Sequence, residues 1–165
     1  MVYLIWLIGV LALDQFSKWL VLQNIQLFDV IPLLPNWLNL THWQNRGGAF
    51  GILQGQGLWL AWVAVLVSVT IVVLLVKYPR QNRLINAGLA LIAGGALGNL
   101  IDRIRLEHVV DFIQVCANGV CAFPVFNVAD SAIVVGTGLI LWTWLRQKRP
   151  VAKVDQETSA HPIED

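Results

Sequence analysis

Charge is scarce in this chain. Asp, Glu, Lys and Arg make up 13% of its 165 residues against 57% hydrophobic residues, and the mean hydropathy is +0.66. Soluble domains carry about a quarter charged residues, so a water-soluble fold is excluded. The net charge of +1 says nothing about partners, and the basic residues cluster at two places that membrane topology explains better than a nucleic-acid partner. Cysteine is limited to Cys116 and Cys121, too few for a zinc site. The glycine-rich run Gly47-Gly48-Ala49-Phe50-Gly51 is a weak phosphate signal, because no P-loop pattern with Lys and Ser/Thr follows it. Internal repeats and low-complexity tracts are lacking too.

What is present is apolar sequence in membrane-spanning lengths. A span needs about 20 apolar residues to cross a hydrocarbon core of about 30 Å. Four segments qualify, at about 1–22, 58–76, 84–101 and 124–145. The first lacks the basic residue that precedes a secretory signal core, and it contains Asp14 and Lys18, so a retained helix is expected. The third carries Gly88, Gly94, Gly95 and Gly98 among alanines, a composition that lets helices approach closely. The fold expected is mainly α and integral to the membrane, a four-helix bundle. It comprises one unit over residues 1–149 and a polar tail over 150–165, in which His161 is expected to be inert.

Basic residues set an orientation. Lys77, Arg80 and Arg83 follow the second span, and Arg146, Lys148, Arg149 and Lys153 follow the fourth. These are seven of the eleven Lys and Arg residues, and the positive-inside rule puts them and both termini in the cytoplasm. The loops at about 23–57 and 104–123 then face outward. Tryptophans agree: Trp6, Trp142 and Trp144 fall near the inner interface, and Trp19, Trp59 and Trp62 near the outer one.

Carboxylates interrupt this pattern. Asp14 lies inside the first span, Asp102 closes the third, and Asp130 lies inside the fourth. A charge at the centre of a bilayer costs at least about 2.5–3.5 kcal/mol, so such residues face polar cavities. With a rise of 1.5 Å per residue, Asp14 lies ~12 Å from the outer end of its helix. Asn127 and Asp130 lie ~5 and ~9 Å below the interface. Asn99 and Asp102 fall in the last turn of the third span. All occupy one outer layer rather than a path across the membrane. A conduit needs polar groups through the whole thickness, whereas Val67–Val76 offers only Ser68 and Thr70, and Val134–Leu141 only Thr137. A small transporter or channel using Asp14, Lys18 and Asp130 is therefore the weaker reading.

Individual residues keep two readings at this point. Lys18 stands one turn beyond Asp14 and is expected to pair with it. Asp102, with Arg103 beside it and Asn99 one turn earlier, reads as a brace. Asp111 sits in the apolar stretch Val109-Val110-Asp111-Phe112-Ile113, and Asp130 has Asn127 one turn before it, with Ala129 and Ser131 as small neighbours. Both acids fit either chemistry or simple hydrogen-bonded structure. Asn118-Gly119 is a hairpin signal that places Cys116 opposite Cys121 within disulfide range. In the first outer loop, Thr41-His42-Trp43-Gln44-Asn45 alternates as a small surface sheet would, turning Asn45 toward the polar layer; His42 is more naturally passive than a base.

The chain resembles the bacterial lipoprotein signal peptidases, signal peptidase II. Five ordered motifs carry the likeness: Asp14-Gln15-Phe16-Ser17-Lys18; Asn45-Arg46-Gly47-Gly48-Ala49-Phe50; Gly95-Ala96-Leu97-Gly98-Asn99-Leu100-Ile101-Asp102-Arg103; Val110-Asp111-Phe112; and Phe126-Asn127-Val128-Ala129-Asp130-Ser131. Gly48 replaces the usual alanine, and Glu107 stands where a glycine is common.

The resemblance implies an intramembrane aspartic endopeptidase with Asp111 and Asp130 as its catalytic dyad. Asp14, Lys18, Asn45, Gly95, Asn99, Arg103, Asn127 and Ala129 would bind substrate or support the site. It further implies a small β-structure and an interfacial helix in the outer loops. No cofactor or metal is expected. The partners would be diacylglyceryl-modified prolipoproteins, cut just before the lipidated cysteine, and membrane lipid. A monomer in the bacterial cytoplasmic membrane is expected, its active site toward the outer face.

Overall fold

The computed structural model describes residues 2–48, 55–78 and 82–147. Four helices, α1 (Val2–Asn24), α2 (Gly57–Lys77), α3 (Arg83–Leu106) and α4 (Val128–Gln147), are each long and apolar enough to cross a membrane. Three strands, β1 (Val30–Leu34), β2 (Leu38–Asn45) and β3 (Val109–Val115), form an antiparallel sheet in the order β1-β2-β3. Residues 49–54, the part of the first long loop left for the interfacial helix, lie outside the described residues. So do Arg80, Lys148, Arg149, Lys153 and the polar tail.

Helix α3 is the axis of the bundle, packed against α1, α2 and α4. Its small residues explain why. A Cβ on Gly88 would stand 2.6 Å from the Gly136 carbonyl of α4, and one on Gly94 would stand 2.8 Å from the Leu7 carbonyl of α1. Backbone meets backbone there, as is usual where helices associate in lipid. Leu7, Ile71, Leu75, Ala90 and Ala93 fill the space among α1, α2 and α3. The six tryptophans expected at the interfaces are each at least 50% exposed, turned outward from the bundle.

Two helix boundaries differ from the hydropathy limits. α3 continues past Asp102 to Leu106, so Asn99 and Asp102 lie more than a turn inside it. Arg103 and Arg105 end the apolar run but suit the negative end of the helix dipole, and Glu107 closes the helix in the left-handed region at φ 63°. α4 starts later, at Val128, so Asn127 precedes the helix rather than lying in its first turns. The segment before it is extended instead: Phe126 N–H donates to Ile113 O at 3.0 Å, and Ile113 N–H donates back to Phe126 O at 2.8 Å.

The sheet sits at the end of the bundle where α1 and α3 terminate. Val21 and Ile25 of α1 pack with Val110 and Phe112 of β3, fastening strand to helix. His42 strengthens this seam by donating its Nδ1–H to the Ile25 carbonyl at 3.0 Å. Beyond β3 the chain turns through Asn118 (φ 51°) and Gly119 (φ 83°), the paired positive φ values that a two-residue hairpin turn requires. Cys116 and Cys121 are disulfide-bonded across it, with Cα atoms 4.0 Å apart. Cys116 N–H donates to Trp37 O at 2.8 Å, docking this hairpin on the β1–β2 turn.

Gly88→Leu is expected to force α3 and α4 apart and to destabilise the protein by about 1–3 kcal/mol or more. Thermal unfolding in detergent tests this; an unchanged midpoint would show that the contact does not hold the bundle.

Candidate active site

Asp130 is presented by the start of α4. Asn127 and Asp130 bond reciprocally: Asp130 N–H donates to Asn127 Oδ1 at 2.9 Å, and Asn127 N–H donates to Asp130 Oδ2 at 3.2 Å. This is the logic of a capping box, with acceptors supplied to amides that have no partner in the first helical turn. The other oxygen, Asp130 Oδ1, accepts from Asn99 Nδ2 of α3 at 2.8 Å.

Asp111 is presented by β3 and is 1% exposed. Its Oδ1 accepts from Asn127 Nδ2 at 2.7 Å, and its Oδ2 accepts from Asn45 Nδ2 of β2 at 3.0 Å. Asn127 thus touches both acids, one through its side-chain amide and the other through its backbone N–H. Burial, reinforced by the charge of Asp130, pushes the Asp111 carboxyl from 3.8 up to about 7.

Asn45 Oδ1 accepts from Gly47 N–H at 2.9 Å, which fixes the bend leaving β2. Arg103 donates to Gly47 O at 3.0 Å and to Asn99 O at 3.3 Å, tying that bend to α3. Its guanidinium also acts electrostatically on Asp130 and Asp111. Gly95 and Ala129 make the α3–α4 crossing close: a Cβ on Gly95 would collide with the Ala129 carbonyl.

Lys18 Nζ lies 2.9 Å from Asp14 Oδ2, the intrahelical pair expected from their spacing. The same ammonium reaches α3, lying 2.8 Å from Asp102 Oδ2 and donating to Asn99 Oδ1 at 2.9 Å. Asp102 therefore pairs with Lys18 and not with Arg103, because adjacent residues on a helix point in different directions. Asp102 also accepts from Val110 N–H at 3.1 Å, and Asp14 accepts from Ala129 N–H at 2.9 Å.

The structure brings every expected site residue into one continuous cluster at the sheet end of the bundle. Sequence reasoning missed Gln15, whose side chain donates to Asp102 Oδ1 at 3.0 Å and to Gly98 O at 3.1 Å. Its position next to Asp14 was the available signal. Among the described residues, no group of three or more His, Cys, Asp or Glu is placed to hold a metal ion.

Comparison with known proteins identifies the family. The family model described as signal peptidase (SPase) II matches residues 6–146. A lipoprotein signal peptidase of Halalkalibacterium halodurans is 42% identical over 93% of this chain and 97% of its own length. One of Shouchella clausii is 43% identical over 90% and 95%, respectively. A bacterial membrane enzyme solved by the in meso method superposes with a TM-score of 0.82 at 28% identity, over 97% of this chain and 94% of that one. Another superposes with a TM-score of 0.78 at 30% identity, over 88% and 93%. With a family match across most of its length and relatives this similar, the chain belongs to the signal peptidase II family of multi-pass membrane proteins.

Proposed function

We propose that this protein is an intramembrane aspartic endopeptidase that removes signal peptides from diacylglyceryl-modified prolipoproteins, with Asp111 and Asp130 as its dyad. The observation that carries this reading is Asn127, bonded to both carboxylates at once. It ties together two acids from different elements. The family's lipoprotein signal peptidases support the substrate class. The transporter reading finds no support among these relatives, and the polar cluster forms one layer rather than a path.

Hydrolysis by such a pair requires one ionised acid to activate water and one protonated acid to assist the departing amine. Asp111 is the member that keeps the shared proton, since it is the more buried and has its ionisation pushed up to about 7. Asp130, exposed in part and supplied with donors from Asn99 and Asn127, serves as base. Asn45, Asn99 and Asn127 hold the two carboxyls in place, while Arg103, Asp14, Lys18, Gly95 and Ala129 support that frame. The scissile bond would enter this layer while the acyl chains of the substrate cysteine stay in hydrocarbon.

The orientation follows the same reasoning. Lys77, Arg83 and Arg146 lie at helix ends opposite the sheet, which supports a cytoplasmic placement of that end and of both termini. The disulfide at the sheet end supports an oxidising, exterior side for the site. We take the protein to act as a monomer in the bacterial inner membrane.

Asp111→Asn and Asp130→Asn should each lower cleavage of a diacylglyceryl-modified precursor by at least about a thousandfold, as loss of a catalytic group does, while folded protein persists in the membrane. Mass spectrometry of lipidated and unlipidated precursors checks this, and robust cleavage by both variants would reject the dyad. Activity should decline as pH rises through about 7, where Asp111 surrenders the shared proton; a rate flat to pH 9 would contradict that assignment. The same group affects stability. Asp111 keeps its proton when folded but loses it near 3.8 when unfolded, so its own contribution to stability is fullest below pH 4 and declines toward about 7. Asp111→Asn should remove that decline in thermal melts recorded across this range.

A further inference from the structure

The residue preceding each acid of the dyad has its backbone amide held by an acid outside the dyad. Ala129, before Asp130, donates its N–H to Asp14 Oδ1 at 2.9 Å. Val110, before Asp111, donates its N–H to Asp102 Oδ2 at 3.1 Å. The two acceptors come from different helices, α1 and α3, and a single ammonium joins them. Lys18 Nζ lies 2.9 Å from Asp14 and 2.8 Å from Asp102. Its third contact is Asn99 Oδ1 at 2.9 Å, and the Asn99 amide goes on to Asp130. Gln15 Nε2 spans the two acids from a second direction, at 3.3 Å from Asp14 Oδ2 and 3.0 Å from Asp102 Oδ1.

Asp14, Lys18 and Asp102 are 0%, 2% and 3% exposed, so this group is sealed from solvent. An ammonium has three donors, and here each has an acceptor. Ala129 belongs to the first turn of a helix, where an amide has no intrahelical partner. Val110, opposite Gln44 of β2, gives its amide to Asp102 of α3. At these two points a carboxylate from another element holds the backbone of the helix start and of the strand.

We propose that Asp14, Lys18 and Asp102 form a positioning clamp that sets the separation of the Asp111 and Asp130 carboxyls, governing turnover without touching substrate. The proposal rests on the dyad reading above. Each clamp acid grips the backbone one residue away from a reacting group, and Lys18 fixes the distance between the acids. A compact ammonium can meet three converging oxygens where a planar guanidinium cannot. A shift of about 1 Å between the two elements would be enough to cost about a hundredfold in rate.

Hydrogen exchange on the full-length wild-type protein in detergent gives the first test. The Ala129 and Val110 amides should exchange as slowly as the centre of α3, whereas fast exchange at either one overturns the clamp. The second test is kinetic, on a diacylglyceryl-modified precursor. Lys18→Met removes the ammonium, and Asp102→Asn keeps an acceptor for Val110 while removing the charge. Each should lower kcat by about a hundredfold with KM little changed. In Lys18→Met the alkaline limb of the kcat profile should also move to higher pH. Lys18 favours the ionised form of Asp111, and its removal leaves Asp130 and Arg103 as the charges acting there. A rate reduced by the same factor at every pH would mean only that less protein is folded, and would overturn the proposal. If Lys18→Met does not accumulate, Asp102→Asn and the wild-type exchange decide the matter. An active Asp111→Asn variant would remove the dyad but leave the exchange result standing. Fast-exchanging amides would remove the clamp and leave the dyad.

Discussion

One ammonium held between two buried carboxylates organises the sheet end of this molecule. Lys18 satisfies Asp14 from its own helix and Asp102 from α3, and without it two acids would lie uncompensated in a solvent-free interior. Burying such ions is costly, and attraction offsets the cost only where the geometry is good and the remaining lone pairs are used. Here they are used: the oxygens facing away from Lys18 take the Ala129 amide of α4 and the Gln15 side chain, and Asp102 Oδ2 takes the Val110 amide of β3 beside the ammonium. The ion group is thereby the place where α1, α3, β3 and the start of α4 meet.

Close packing makes that meeting possible. Gly98 leaves room for the Asp14 carboxylate, Gly95 lets the Ala129 carbonyl approach, and Gly88 with Gly136 brings α3 and α4 together farther down. Larger side chains at these positions would separate the helices that supply the polar groups. The glycines act on the site through distance, since Asp111 and Asp130 each accept a side-chain amide from another element.

The two acids proposed as the dyad sit on different kinds of backbone. Asp130 sits on a helix start whose unpaired amides favour acceptors, while Asp111 sits on a buried strand where ionisation is disfavoured. Two chemically identical side chains become unequal through their surroundings, which is the asymmetry that general acid and base roles need. Asn127, Asn99 and Asn45 preserve this arrangement by donating to both acids without adding a charge.

The membrane class, the four spans and the layer holding Asp14, Asn99, Asp102, Asn127 and Asp130 were legible in the chain alone. Hydrophobic length and the cost of burying charge act locally along the sequence. The Asp14–Lys18 pairing was legible for the same reason, being one turn apart on one helix. The true end of α3 and the late start of α4 were not, because Arg103 and Arg105 are stabilised by a helix dipole that hydropathy ignores, and Phe126 is held extended by β3. Tertiary structure alone decided that Asp102 would pair with Lys18 rather than with its neighbour Arg103, that Gln15 would belong to the cluster, and that the amides of Val110 and Ala129 would be gripped by distant acids. Those contacts depend on the relative placement of separate elements and on backbone N–H groups that nearly every residue carries, so no pattern of side chains announces them.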